Sequence, residues 1–288
     1  MSCIELKEIR YSYGKKTPYE ICALDGVSLT IRENCITGII GHTGSGKSTL
    51  IQMFNGLMKP DSGKVIIDGE DIWEKPKEIG KIRYKVGMVM QYPEYQLFAE
   101  TVKDDIAYGP RNMGISEEEI VNRVAQSADF SGIPEDVLSK SPFDLSGGQK
   151  RRVALAGVMA MDPDILVLDE PAAGLDPRGR REILGGIKRY QSESKKSIVI
   201  VSHSMEDMAM YCDRIAVMSK GKLVMDGNCA EVFSQRELLL SAGLDVPEIS
   251  NIVYALRNRG ISVPADIYTV NGAVDAIVNY VRGNKNGI

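Results

Sequence analysis

Eight residues constrain this chain more than any other stretch: Gly41-His42-Thr43-Gly44-Ser45-Gly46-Lys47-Ser48. They fit the phosphate-loop pattern G-x-x-x-x-G-K-[ST]. The apolar run at 35–41 (CITGIIG) predicts a buried strand just before the loop, and a helical pattern runs from Lys47 to about Leu57 after it. Strand, glycine-rich turn and helix, in that order, are the context the pattern requires. The glycines let backbone N–H groups approach phosphate oxygens closely, and the helix N-terminus adds favourable potential for an anion. Lys47 is then placed for β- and γ-phosphates and Ser48 for Mg²⁺, with Thr49 completing the cradle. His42 falls at a variable position of the pattern and reads as solvent-facing.

A phosphate loop needs a sheet edge to stand on, and the rest of the chain supplies one. The runs 64–69 (KVIIDG), 85–91 (KVGMVMQ), 165–169 (ILVLD) and 197–203 (SIVIVSH) read as further strands, the last two each followed by a helical stretch. Buried strands interleaved with helices predict an α/β fold with a largely parallel sheet. Shorter alternating runs at 4–10 and 26–33 predict a small antiparallel sheet. Residues about 95–145 differ: Gly109-Pro110, Gly114, Gly132 and Pro134 separate helical patterns, with no convincing strand. Ser116-Glu117-Glu118-Glu119 has the form of a capping box. This stretch is a helical insertion. From about Gly227 a third region carries helical patterns at 247–258 and 272–282, whose apolar spacing (Ile249, Ile252, Val253, Leu256; Val274, Ile277, Val278, Val281) marks amphipathic helices needing a surface to cover.

Composition narrows the function by exclusion. A net charge of −4 and a pI near 5.5 provide no broad attraction for nucleic acid. No stretch approaches the roughly 18 apolar residues that span a bilayer. The start, Met1-Ser2-Cys3-Ile4-Glu5, lacks the basic and apolar regions of a signal peptide. A membrane role would therefore run through a partner. Five scattered cysteines with no CxxC pair indicate a reducing compartment and read as small core hydrophobes.

Two further constellations carry chemistry. The apolar strand ILVLD delivers Asp169 to the edge of the sheet where ligands bind in open α/β folds, with Glu170 next. Asp169 suits a Mg²⁺ contact, and Glu170 suits a general base for an attacking water. Leu145-Ser146-Gly147-Gly148-Gln149 is a helix start with two glycines. Ser146 and the N–H groups of Gly147 and Gly148 form a second anion site.

LSGGQ is the signature of the ATP-binding-cassette (ABC) ATPases. The order of phosphate loop, Gln91, LSGGQ, Asp169-Glu170 and His203 resembles that family over most of the chain. The resemblance implies the ABC ATPase fold: a RecA-like parallel-sheet core, a small antiparallel β subdomain, a helical insertion subdomain and, here, a small C-terminal helical appendage. It implies a domain at 1–228, with the helical subdomain at about 95–160, and a C-terminal helical region at 229–288 with a subunit-pairing role. It implies hydrolysis of ATP with Mg²⁺. Tyr13 would stack on adenine, with Tyr11 as the competing ring. Gln91 would sense Mg²⁺ and the attacking water, and His203 would contact the γ-phosphate. Ser146, Gly147, Gly148, Gln149 and Asp176 would contact the ATP held by the other subunit. The loop Ala173-Gly174-Leu175-Asp176 crosses to the partner in that family, although Asp176-Pro177 is also good chemistry for a plain helix start.

The chain carries one nucleotide-binding unit and no long coiled coil between Ser48 and Leu145, so the translation-factor and DNA-repair branches of the family do not fit. What remains is the separately encoded ATPase of a transporter. Gln91-Tyr92-Pro93-Glu94-Tyr95-Gln96-Leu97-Phe98, Asp105-Ile106-Ala107-Tyr108-Gly109-Pro110 and Gly243-Leu244-Asp245-Val246-Pro247-Glu248 resemble the ATPases of energy-coupling factor (ECF) transporters. Tyr11-Ser12-Tyr13 and Thr17-Pro18-Tyr19-Glu20 resemble the second of their two paralogous ATPases. The resemblance implies uptake of vitamins or transition-metal ions, at the cytoplasmic face of the membrane. The implied partners are a paralogous ATPase subunit (a heterodimer, with a homodimer as the alternative), a transmembrane coupling protein and a substrate-specific membrane component, with no nucleic acid. The alternative function is the ATPase of an ordinary binding-protein-dependent importer. Glu94 is expected to be an exposed carboxylate on an added helix at the coupling interface, facing arginines of the coupling protein.

Overall fold

β3 (Ile36–Ile40) is buried at all five positions, and so are β7 (Ile165–Asp169) and β8 (Ser197–Val201). Strands that are apolar on both faces can be stable only between two covering layers, as in the centre of a parallel sheet. The computed structural model, which describes residues 3–285, shows that arrangement. Six strands run in the order β10-β9-β3-β8-β7-β6, with β6 at Val86–Val89, β9 at Arg214–Ser219 and β10 at Lys222–Asn228. All pairs are parallel except β10 on β9. The register pairs Ile39 and Asp169 each with Val201, so the chain leaves β3, β7 and β8 along one sheet edge.

Alternation along each strand sorts its side chains between two cores. Ile36, Ile40, Leu166, Leu168, Ile198 and Ile200 face one core, which is completed by α6 (Pro177–Ser194) and α7 (Met205–Tyr211). Ile39, Ile165, Val167, Val199 and Val201 face the other, with α1 (Lys47–Phe54) and a four-stranded antiparallel sheet. The order of that sheet is β2-β1-β4-β5: β1 is Ile4–Tyr13, β2 Ile21–Ile31, β4 Ser62–Ile67 and β5 Glu70–Asp71. Leu50, Ile51, Met53 and Phe54 of α1 are fully buried between the sheets, each stabilising the fold by roughly 1.5–3 kcal/mol. The run at 64–69 thus joins the antiparallel sheet, pairing with β1, and takes no part in the parallel core.

After α2 (Ile79–Lys85) and β6 come α3 (Val102–Asn112), α4 (Glu117–Phe130) and α5 (Gly147–Met159). They enclose a core of their own from Val102, Ile106, Ile120, Val124, Val153 and Ala156. α5 also turns Leu155 and Met159 toward the main sheet. The capping box at α4 is half formed. Ser116 accepts from the Glu119 N–H, while the Glu119 carboxylate is engaged by Arg123.

α8 (Cys229–Ser234) and α9 (Arg236–Ser241) cover the main core through Val232, Phe233 and Leu239. α10 (Glu248–Asn258) and α11 (Val270–Lys285) share a small cluster of Val253, Val263 and Ala273, with Ile249 and Leu256 packed against it. On α11 a stripe of Val270, Val274, Val278 and Val281 stays exposed. Met1 and Ser2, and the last three residues of the 229–288 region, lie outside the described residues. Cys212 and Cys229 are buried as expected of small hydrophobes, whereas Cys22 is exposed and Cys3 and Cys35 are half-buried.

Candidate nucleotide site

The phosphate loop joins β3 to α1 and is tied from outside. Ser45 donates its N–H to His42 O, Gly221 donates to Ser45 O, and Asp25 donates to Gly221 O. Gly46 is the N-cap of α1, at φ 101°, and a Cβ there would lie 2.6 Å from the carbonyl oxygen of Ala23. Only glycine fits. Because no side chain caps α1, its first N–H groups keep their capacity for an external anion. His42 is half-buried, more enclosed than expected, with Nδ1 2.7 Å from Thr43 O.

Lys47 Nζ donates to the Gly41 and His42 carbonyls at 2.6 and 3.1 Å. Burial lowers its pKa, against the opposing pull of Glu170 and Asp169. Ser48 Oγ donates to Asp169 Oδ2 at 3.3 Å. Burial raises the Asp169 pKa, opposed by the Ser48 hydroxyl. A phosphate chain would supply the anion that the half-buried ammonium lacks, and a hard cation would favour the ionised Asp169. The donor set is oxygen only, and no group of three His, Cys, Asp or Glu among the described residues could cage a metal alone. That fits Mg²⁺, which is usually held by one or two protein oxygens together with substrate phosphates.

Glu170 follows the end of β7 at φ 52°, a left-handed conformation that costs a non-glycine residue roughly 1–2 kcal/mol. Its N–H donates to Val201 O at 2.9 Å, holding the turn in place. Oε1 lies 2.9 Å from His203 Nδ1; the carboxylate is 14% exposed and the imidazole 70%. His203 thus fixes the carboxylate at the edge of the loop and still opens to solvent. Such a pair can orient a water and accept its proton. Gln91 lies exposed two residues beyond β6.

Tyr13 Oη is 3.1 Å from Thr49 Oγ1, and the ring meets Tyr11 edge-on at 5.0 Å. Tyr11 packs on the core behind the small sheet, while Tyr13 is 43% exposed. Of the two rings, Tyr13 is the one offered to a ligand.

The signature forms the start of α5. Ser146 and Gln149 make a reciprocal capping box, so the Gln149 side-chain carbonyl accepts from Ser146 N and Oγ. A Cβ on Gly147 would meet nothing within 4 Å. Among the described residues, no hydrogen bond or ion pair joins Ser146–Gln149 to the loop Gly41–Ser48. Asp176 N-caps α6 by accepting from Gly179 N at 2.6 Å, and Leu175 lies 3.4 Å from the Cβ position of Gly148. Lys47, Ser48, Asp169, Glu170 and His203 therefore make one cluster, and Ser146–Gln149 with Leu175–Asp176 make another.

Glu94 corrects an expectation. It sits in a single 3-10 turn, Pro93–Gln96, and its carboxylate is no free partner for another protein. Arg151 holds it with two hydrogen bonds, of 2.9 and 3.1 Å. No sequence motif marks Arg151 as the partner of Glu94. It stands in the charged run Lys150-Arg151-Arg152 near the start of α5, and 57 residues separate it from Glu94.

The ABC transporter family profile matches residues 24–173. Proteins described as "Energy-coupling factor transporter ATP-binding protein EcfA2" from Caldanaerobacter subterraneus subsp. tengcongensis and from Clostridium perfringens are each 50% identical, over 98% of this chain and 99% of their own length. Among solved structures, cbiO1 from Clostridium perfringens, described as part of the ABC transporter complex cbiONQ, superposes with a TM-score of 0.74 at 39% identity over 87% of this chain and 98% of its own. A dimeric ATP-binding cassette in a post-hydrolysis state, bound to ADP and Pi, gives 0.71 at 30% identity over 78% and 98%. The chain belongs to the ABC transporter family, among the ATP-binding proteins of energy-coupling factor transporters. It is an ABC ATPase.

Proposed function

We propose that this chain powers an ECF-type uptake transporter by hydrolysing ATP in a head-to-tail pair with a paralogous ATPase. The observation that carries the pairing is the split of the site. The phosphate loop and the general base lie in one cluster, the second anion site in another, and among the described residues neither bonds the other. A second subunit placed head-to-tail brings its signature to this chain's ATP and takes this chain's Ser146–Gln149 against its own. Ser48 and Asp169 would hold the Mg²⁺, which neutralises phosphate charge as it develops. Lys47 binds the phosphates, Gln91 and Glu170 place the water, and Glu170 takes its proton while His203 holds the carboxylate in line.

No described helix is long and apolar enough to cross a membrane, so transport requires membrane partners: a transmembrane coupling protein and a substrate-specific component that selects a vitamin or a transition-metal ion. The groove between the segment after Gln91 and helices α3 and α5, lined by Tyr84, Leu97, Tyr108, Gly109 and Met161, has the apolar-with-aromatic character of a docking site for the coupling protein. Such docking places this chain at the cytoplasmic face. The exposed stripe on α11 supports a pairing role for the region after about Gly227.

The test is co-purification from the native host with an affinity tag on this chain, followed by ATP turnover of the complex. Recovery with a paralogous ATPase and integral membrane proteins is expected; recovery with a periplasmic or lipid-anchored binding protein instead indicates an ordinary importer. In the recovered complex, Lys47→Ala should lose ATP binding, whereas Glu170→Gln should bind ATP and stall. Normal turnover by the Glu170→Gln complex removes Glu170 from its role.

A further inference from the structure

Arg151 does more than neutralise a neighbour. Its guanidinium lies almost wholly inside the protein, with the side chain 7% exposed and that of its partner Glu94 15% exposed. Nε and Nη2 form the planar fork on the two oxygens of Glu94. Nη1 donates to the carbonyl oxygen of Ala173. Ala173 in turn donates its N–H to the carbonyl oxygen of Glu170 at 3.1 Å. One side chain thus links three segments of the chain, its own helix among them. They are the turn three residues past Gln91, the helix five residues past Ser146, and the turn that runs from Glu170 to Asp176. A bidentate fork with a third bond from the same planar group fixes direction as well as distance, which a lysine point charge cannot do.

Among the described residues, no other side chain hydrogen-bonds both the turn after Gln91 and the Glu170–Asp176 turn, and the functional residues of these segments belong to different ATP sites. Gln91 and Glu170 act at the site of this chain's own phosphate loop. Ser146 and Asp176 face the ATP of the partner. We propose that Arg151 is a positioning residue that makes the segment after Gln91, the signature helix and the Glu170–Asp176 turn move as one body, so that occupancy of one ATP site sets the geometry of the other. The inference rests on the paired-ATPase reading. It assigns the Glu94–Arg151 pair a role inside the chain in place of an arginine supplied by the coupling protein.

The experiment uses the full transporter complex, with Glu94→Gln, Arg151→Lys and the double variant Glu94→Gln/Arg151→Lys. Steady-state ATP hydrolysis gives kcat, KM and the Hill coefficient for ATP, while thermal melting and fluorescent-nucleotide binding to the variants report folding and the first binding step. Each single variant is expected to lower kcat on the order of tenfold, since small misplacements of catalytic groups are costly, with KM nearly unchanged. The Hill coefficient should fall toward one. The double variant should lose no more than either single one, because the two residues act through each other. Wild-type kcat and Hill coefficient in both single variants would overturn the proposal. So would losses that multiply in the double variant, or losses that follow melting temperature or nucleotide binding. A wild-type complex without ATP hydrolysis would instead defeat the paired-ATPase reading itself.

Discussion

Gly147 is a glycine with no reason to be one inside its own chain. It is the first residue of α5, its φ is not among the positive ones, and a methyl group placed on it would meet no atom within 4 Å. Alanine is the better helix former by up to about 1 kcal/mol. On the isolated chain, Gly147→Ala should therefore be neutral or stabilising, by roughly 2 °C in Tm for a protein of this size. In the paired complex the same methyl group would stand where the partner's nucleotide approaches the N–H groups of α5. Blocking one preorganised donor of this kind costs ~10²-fold in turnover, or about 2.7 kcal/mol of barrier. The assay is ATP hydrolysis by the complex beside thermal melting of the isolated chain, with ATP binding to this chain's own phosphate loop as an internal control that should not move. Full turnover in the variant complex would refute the reasoning, because the space beside Gly147 would then be needed by nothing. A destabilised isolated chain would refute it too, by showing a neighbour within the fold.

Two other perturbations read different parts of the molecule. Burial raises the Asp169 pKa, so the folded chain binds that proton more tightly than the unfolded one, and stability falls as pH rises from the unfolded value near 4 through the raised folded value. Asp169→Asn should accordingly raise the nucleotide-free melting temperature at about pH 7, with a gain that vanishes below about pH 4; a gain independent of pH would assign it to packing. Val274 and Val278 are 53% and 38% exposed on one face of α11. Val274→Glu/Val278→Glu should leave the isolated chain folded, because exposed substitutions usually stay within about 0.5 kcal/mol each. Light scattering of the mixture with the paralogue should then show weakened pairing, and unchanged assembly would mean that the stripe is surface only.

The parts of the site that were legible in the sequence are those whose chemistry is local. A phosphate loop, a strand ending in Asp169-Glu170 and a glycine-rich helix start each declare themselves within eight residues. The structure places all three at element ends, as the pattern demands. What was not legible depends on partners far along the chain. The run at 64–69 has the composition of a core strand, yet β-periodicity says nothing about which strand lies alongside, and Ile67 pairs with Ile4 in the antiparallel sheet. Glu94 looks like a loop acid until Arg151 is brought to it by the packing of α5. Ser116 has its glutamate three residues on, but Arg123, one turn further along, competes for that carboxylate and wins. Cys22 shares its residue type with Cys212, and only position separates an exposed strand from a filled core.

The placement of β3 has a consequence for how this protein is made. Both hydrogen-bonding neighbours of that strand, β8 and β9, come late: Ile36 pairs with Ile198 and Ile40 with Val217, separations of about 160 to 180 residues. At synthesis rates of about 5–20 residues per second, the strand that carries the phosphate loop waits some ten to thirty seconds for its partners. During that time the run Ile36–Ile40 is an unpaired apolar edge, the kind of segment that recruits other chains. Nucleotide cannot protect it, because the loop has no sheet to stand on until β8 and β9 arrive. Helices α3 to α5, which close a core from residues near one another in sequence, can consolidate in the meantime. The nascent chain should therefore be most vulnerable to aggregation, and most dependent on chaperones, after its insertion has folded and before its nucleotide site exists.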